Sequence, residues 1–283
     1  MTDQHGLDLA GGFPDVDRSA SGSALIAFLD RLQGSPWARA YKQASLTMLR
    51  PAPGQRLLDV GCGTGEEVRL LAEVVGPTGR VVGLDFSQAM IDEARRRTIV
   101  GAPSRAPLPP VEFQVGDVLA LPFADGAFDG CRADRTLQHV ADPDRALAEM
   151  VRVTRPGGRI VVSEPDSDTK LIDAADRHTT RRVLEVMSDG MRSGWIGRQL
   201  YARCRAAGLT EIELAVHPLY YFDLARMDDA FRLRAMAEQA AARGLVTAEA
   251  AAAWLADLEA ADAAGRFFGA SFIFTAAATR PEV

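Results

Sequence analysis

Lysine is nearly absent. Lys42 and Lys170 are the only two in 283 residues, and arginine carries the rest of the positive charge. No basic tract exists and the net charge is −6, so the electrostatic footprint of a nucleic-acid surface is missing. Cysteine is scarce as well. Cys62, Cys131 and Cys204 are odd in number and form no C-x-x-C pair or metal-ligand spacing, which speaks against a disulfide framework or a metal site. Buried thiols in a reducing compartment are expected instead. No apolar run is long enough to span a bilayer, and the opening MTDQHGLDLAGGFPDVDRSASGS lacks the basic and apolar parts of a secretory signal. A cytoplasmic location is the expectation. No internal repeat is evident. What remains has the composition of a globular chain, long enough for one large domain or two small ones around a sizeable core.

What is there is organised around Arg56 to Phe86, RLLDVGCGTGEEVRLLAEVVGPTGRVVGLDF. Arg56 to Val60 is short, apolar and β-prone. Gly61-Cys62-Gly63-Thr64-Gly65 follows at once. Val68, Leu71, Ala72 and Val75 then recur at helical spacing, and Gly76-Pro77-Thr78-Gly79 stops the helix. Arg80 to Leu84 is a second strand ending in Asp85. A strand entering a helix through a glycine loop is expected to leave backbone N–H groups free for an anionic group. An acid at the tip of the next strand suits ribose hydroxyls. The dinucleotide fingerprint G-x-G-x-x-G fits at Gly61 and Gly63 but meets Glu66 at its third glycine, so an NAD-dependent oxidoreductase is the weaker alternative.

The run Leu58-Asp59-Val60-Gly61-Cys62-Gly63-Thr64-Gly65 resembles motif I of the class I S-adenosylmethionine-dependent methyltransferases. Further runs follow in the same order: LPFADGAFDG from Leu121 and LAEMVRVTRPGGRIVVSEP from Leu147. They are most similar to the ubiquinone/menaquinone-biosynthesis type (the methyltransferase type 11 domain), and the likeness covers Leu57 to Pro165. The resemblance implies an α/β, Rossmann-like fold with a mostly parallel seven-stranded sheet and helices on both faces. It also implies S-adenosylmethionine as cofactor, with S-adenosylhomocysteine as product, and a small-molecule acceptor. The cofactor-binding residues it implies are Asp59, Gly61, Cys62, Gly63 and Gly65 in the loop, and Asp85, Phe86, Ser87 and Met90 after the second strand. Gly116, Asp117 and Val118 follow the third strand, where the acid contacts the adenine amino group and Val118 packs on the ring. Arg132 and Gln138 lie in and after the fourth.

Outside that stretch the reading is coarser. Residues 1–22 are polar; Ser23 to Leu32 and Trp37 to Leu49 read as helices that cover a site opening, with Tyr41 and Arg39 placed to reach the cofactor's carboxylate or the acceptor. Ser87 caps a helix to about Arg97, and the proline-rich Thr98 to Pro110 reads as a loop. Val111 to Val115, Phe128 to Ala133, Arg159 to Ser163, Ile212 to Val216 and Phe272 to Ala276 read as the remaining strands. Thr169 to Ser188 and Trp195 to Ala207 read as helices. About fifty alanine-rich helical residues, broken near Arg243-Gly244, separate the last two strands. The expected division is 1–50 as an N-terminal helical cap, 51–217 with 270–283 as the cofactor domain, and 218–269 as a helical lid over the acceptor, or else a homodimer contact.

Methyl transfer needs geometry more than a universal catalytic residue. His139 is the first candidate base, because an unperturbed imidazole suits proton transfer near neutrality. Tyr221, with Tyr220 beside it, is the second. Arg132, Arg135 and Arg198 read first as surface ion pairs, with holding an anionic or phenolate oxygen as the alternative. His178 and His217 carry no supporting pattern. A protein that binds the cofactor without transferring methyl, as a cyclase or a binding module, has the same signature and stays open as an alternative.

Overall fold

The computed structural model describes residues 26–27, 29–31, 36–100 and 111–282. The readings of residues 1–22 and of the proline-rich segment 101–110 fall outside these. Strands and helices alternate through the first half: α1 (Pro36–Leu49), β1 (Arg56–Val60), α2 (Glu66–Val75), β2 (Arg80–Asp85), α3 (Gln88–Val100), β3 (Val111–Val115), β4 (Phe128–Asp134), α4 (Pro143–Val153) and β5 (Thr154–Pro165). The second half holds β6 (Leu171–Ile172), α5 (Arg177–Gly190), α6 (Ile196–Ala206), β7 (Thr210–Tyr221), α7 (Leu224–Phe231), α8 (Leu233–Ala242), α9 (Ala248–Ala263) and β8 (Gly269–Thr279). The sheet runs β3-β2-β1-β4-β5-β8 with parallel pairs up to β5, and β8 pairs antiparallel with β5, β6 and β7.

Alternation of side chains across each strand makes two cores, one on either side of the sheet. Leu57, Val81, Phe113 and Val161 face α1, α2 and α3. Leu58, Val60, Leu84, Cys131 and Ile160 face α4 and α6. Local chemistry sets the helix ends. Asp142 accepts from the Arg145 amide ahead of Pro143, Asp176 from His178 and Thr179, and Thr247 from Ala250. All three cysteines are free and buried, as expected. Among the described residues no helix is long and apolar enough to cross a membrane.

Several boundaries differ from the sequence reading. A two-residue strand, β6, joins the sheet as an eighth member, and the predicted helix from Thr169 starts only at Arg177, behind the Asp176 cap. The α3 helix runs past Arg97 to Val100. The β7 strand extends to Tyr221, so Tyr220 and Tyr221 end a strand instead of opening the insertion. Its reach comes from unbroken pairing, from Glu213↔Ala277 to Tyr221↔Gly269.

The α7–α9 insertion has its own apolar cluster. Leu233, Ala237, Trp254 and Leu258 pack with Ala38 and Tyr41 of α1 and Val183 and Val186 of α5. Trp254 is 1% exposed, and its indole N–H donates to Thr180 Oγ1 at 2.9 Å. Truncating Trp254→Ala should therefore lower stability by about 3–5 kcal/mol in urea denaturation, while Thr180→Val should cost only about 1 kcal/mol.

Candidate active site

Five strand ends, the Gly61–Gly65 loop and the insertion enclose a cavity of about 1200 Å³. Such sheets bind ligands beyond the carboxyl ends of their strands. The loop is tied down before any ligand arrives. Gly61 and Cys62 amides donate to Leu84 O (2.7 and 3.0 Å), the Gly65 amide to Cys62 O (2.9 Å), and the Gly63 amide to Asp85 Oδ2 (2.8 Å). These four N–H groups are already engaged, so the expectation of free loop amides is not met at Gly61, Cys62, Gly63 and Gly65. Glu66 and Glu67 also occupy the first turn of α2, where a phosphate would otherwise benefit from the helix end.

The glycines divide by role. Gly61, Gly63 and Gly65 all take positive φ, of 69°, 51° and 74°. A Cβ on Gly61 would overlap the Thr136 side chain, and one on Gly65 would meet Phe113 at 2.6 Å. A Cβ on Gly63 would find only Leu29, 4.0 Å away. Gly63 therefore presents bare backbone to the cavity. Gly65 lies outside the lining and serves packing and the αL start of α2.

Of the other anticipated residues, Tyr41, Asp59, Cys62, Asp85, Phe86, Ser87, Met90, Gly116, Asp117, Val118, Arg132, Gln138, His139 and Tyr221 all line the cavity. Arg39 does not, being exposed on α1. Asp85 is oriented by two amides, Gly63 on one oxygen and Ser87 on the other at 3.0 Å. Asp117 accepts from the Leu119 amide at 2.9 Å and so starts the turn that positions Val118.

The floor is a buried ionic network. Arg132 Nη1 donates to Asp59 Oδ1 at 2.9 Å across β4 and β1, and Arg132 Nη2 stands 3.4 Å from Asp134. The Tyr41 hydroxyl donates to Asp134 at 3.3 Å, and Lys42 pairs with Glu67 alongside. Burial pushes Asp59 up to about 7, with Arg132 opposing, and its Oδ2 has no hydrogen-bond partner among the described residues. Burial also acts to raise Glu67, but Lys42 and Arg132 outweigh it and hold the carboxyl at about 2.

Sequence reasoning missed Glu164. Its buried carboxylate, at the end of β5, accepts from the amides of Thr136 (2.9 Å), Leu137 (2.6 Å) and Gln138 (3.4 Å), and so holds the turn that carries His139. Only its place at a strand end, in SEP, was a signal. Burial, with Arg135 and Arg192, lowers His139 to about 4, which keeps its imidazole neutral near neutral pH. Tyr221 is pushed up to about 12 by burial, against a hydrogen bond with Ser271, and stays protonated. Arg198 turns away to pair with Asp166 (2.5 Å) and is not part of the lining. Among the described residues no group of His, Cys, Asp and Glu could hold a metal ion.

A family model described as a methyltransferase domain matches residues 51–203. A 37.1 kDa protein in transposon TN4556 of Streptomyces fradiae is 41% identical over 254 residues, covering 89% of this chain and 70% of that protein. The demethylmenaquinone methyltransferase of Beutenbergia cavernae is 38% identical over 159 residues, 56% of this chain and 58% of that enzyme. The match spans about half the length of the other curated quinone methyltransferases it reaches. Among solved structures, the [4+2]-cyclase SpnF overlays with a TM-score of 0.50 at 27% identity, over 88% of this chain and 83% of that one.

The Lys42–Glu67 pair yields a pH-dependent prediction. A carboxyl held at about 2 against an ordinary 4.5 adds stability that is present above 4.5 and is lost as pH falls toward 2. Lys42→Met strands the buried carboxylate and should destabilise the protein by about 3–5 kcal/mol at neutral pH. The double change Lys42→Met/Glu67→Leu should recover most of that in urea denaturation.

Proposed function

This chain belongs to the methyltransferase domain family, and from that premise we propose that it transfers methyl from S-adenosylmethionine to a small-molecule acceptor held between the sheet and the α7–α9 insertion. The observation that carries this reading is the cavity itself, which joins the acidic strand tips at one end to insertion residues Phe231, Ala235, Met236 and Gln239 at the other. The donor set suits the cofactor. Gly63 offers an open stretch of backbone, Asp59 Oδ2 a buried acceptor awaiting a donor, and Asp85 a carboxylate already turned by two amides. In this reading Asp59 meets the ammonium end, Asp85 the ribose hydroxyls, and Asp117 with Val118 the adenine.

The bound cofactor supplies an electrophilic methyl group. The chain's part is to orient, to exclude water and to dispose of charge. The insertion and α1 share one core, so they close the acceptor end as a unit. Leu29 lines the mouth, and Arg31 next to it pairs with Asp229 of α7 at 2.9 Å. His139 and Tyr221 offer a neutral imidazole and a protonated phenol to the acceptor, which serve as hydrogen-bond partners and not as strong bases. The similarity to SpnF favours a second reading, in which the cofactor site is kept and the acceptor cyclises without gaining methyl. The quinone methyltransferase relatives favour the first.

Incubation with methyl-labelled donor and a panel of quinols, phenols and polyketides should give labelled product; unlabelled but rearranged product with the donor unconsumed would favour cyclisation. Asp85→Ala should weaken binding of S-adenosylhomocysteine by about tenfold or more in calorimetry. Gly63→Val, which fills the open backbone face at positive φ, should weaken it by about a hundredfold. Unchanged affinity in both variants would remove the site assignment.

A further inference from the structure

Arg135 lines the cavity, and its buried Nε makes no hydrogen bond among the described residues. It follows β4 directly, with φ 53°, a conformation uncommon for a long side chain. Two clamps hold it there. Its amide donates to Ser163 O at 2.8 Å, and Glu164 gathers the next three amides. Its guanidinium lines the cavity with the side chain 22% exposed. Among the described residues that guanidinium makes no hydrogen bond. Nε is buried, and its approach to Asp134 Oδ1 is 3.7 Å, too long for one. Asp134 is already engaged by Tyr41 and Arg132. A guanidinium in the cavity wall, with its buried Nε unbonded and its neighbour Asp134 shared with Tyr41 and Arg132, suits an anionic occupant.

The charge layout says which. Acids stand at the strand tips, where Asp59, Asp85 and Asp117 suit a cofactor that is cationic at sulfur and nitrogen. Cations stand toward the insertion, where Lys170, Arg192, Arg232 and Arg243 share the lining. At that end Asp166 is neutralised by Arg198 and Asp189 remains, while Arg135 itself stands at the strand tips beside Asp134, with Glu67 and Glu164 near enough to act on its charge. Arg135 lies close enough to His139 and Tyr221 to affect the charge of both.

We propose that Arg135 holds the ionised oxygen of an acidic acceptor, a phenol, enol or hydroxyquinone, which therefore binds as its anion. This rests on the reading of the cavity as a methyl-transfer site. The acceptor's proton passes to solvent on binding. The anion's electron pair then forms the bond to the methyl carbon, the carbon–sulfur pair stays on sulfur, and no base takes part. Neutral His139 and protonated Tyr221 then serve as hydrogen-bond partners.

The test uses para-nitrophenol, at a pH where it is ionised, against its neutral isostere nitrobenzene. Both are titrated into the full chain with and without S-adenosylhomocysteine. The ionised phenol should bind about tenfold or more tighter than nitrobenzene. Arg135→Gln should abolish the preference, Arg135→Lys should retain most of it, and S-adenosylhomocysteine affinity should stay within about threefold in both variants. No preference in the wild-type protein, no binding of the phenolate, or a preference that survives Arg135→Gln would overturn the proposal. So would a tenfold loss of S-adenosylhomocysteine affinity in Arg135→Gln, which would give Arg135 to the cofactor's carboxylate. If S-adenosylhomocysteine fails to bind the wild-type protein, the methyl-transfer reading falls, while the probe's discrimination in the unloaded protein still decides on Arg135.

Discussion

A guanidinium sealed between β1 and β4 is the constraint on which the site depends. Arg132 is 1% exposed and pairs with Asp59 on the neighbouring strand, with Asp134 near its other nitrogen. Breaking such a pair leaves a bare charge in the interior, so the strand tips, the loop above them and Tyr41 of α1 are fixed in one arrangement. Lys42 and Glu67 repeat the device between α1 and α2. The cavity floor is thus built from paired charges. Asp59 Oδ2, Arg132 Nε and Nη2 and Arg135 Nε are left without hydrogen-bond partners among the described residues, and Gly63 presents bare backbone.

Those leftovers make the cavity electrically polar. In the proposed reading the acidic strand tips take the cationic methyl donor and Arg135 takes an anionic acceptor. Placing both charges before reaction is a form of preorganisation, and it needs no strong base.

Much of this was legible in the chain. The unit Arg56–Phe86 declared its strand, loop, helix and acid through local pattern, and Asp59, Gly63 and Asp85 fall where that pattern put them. What failed depended on tertiary closure. The loop amides read as free because nothing local shows that Leu84 O and Asp85 lie within reach of them. Gly65 read as a ligand residue because its neighbour Phe113 is forty-eight positions away and only packing joins them. Glu164 lies inside a recognised run without a role of its own, and Arg135 is one of three arginine candidates; what singles them out is where β4 and β5 end side by side. The β7 strand was read short because its last residues, His217 to Tyr221, are held in the strand by pairing with β8, which no local pattern shows.

The most direct measurement is calorimetric titration of the wild-type protein with S-adenosylmethionine, S-adenosylhomocysteine and NAD side by side. The account predicts micromolar binding of the first two and none of NAD, because carboxylates crowd the loop and the start of α2 where a pyrophosphate would lie. Binding of NAD with no binding of either sulfur nucleoside would contradict it.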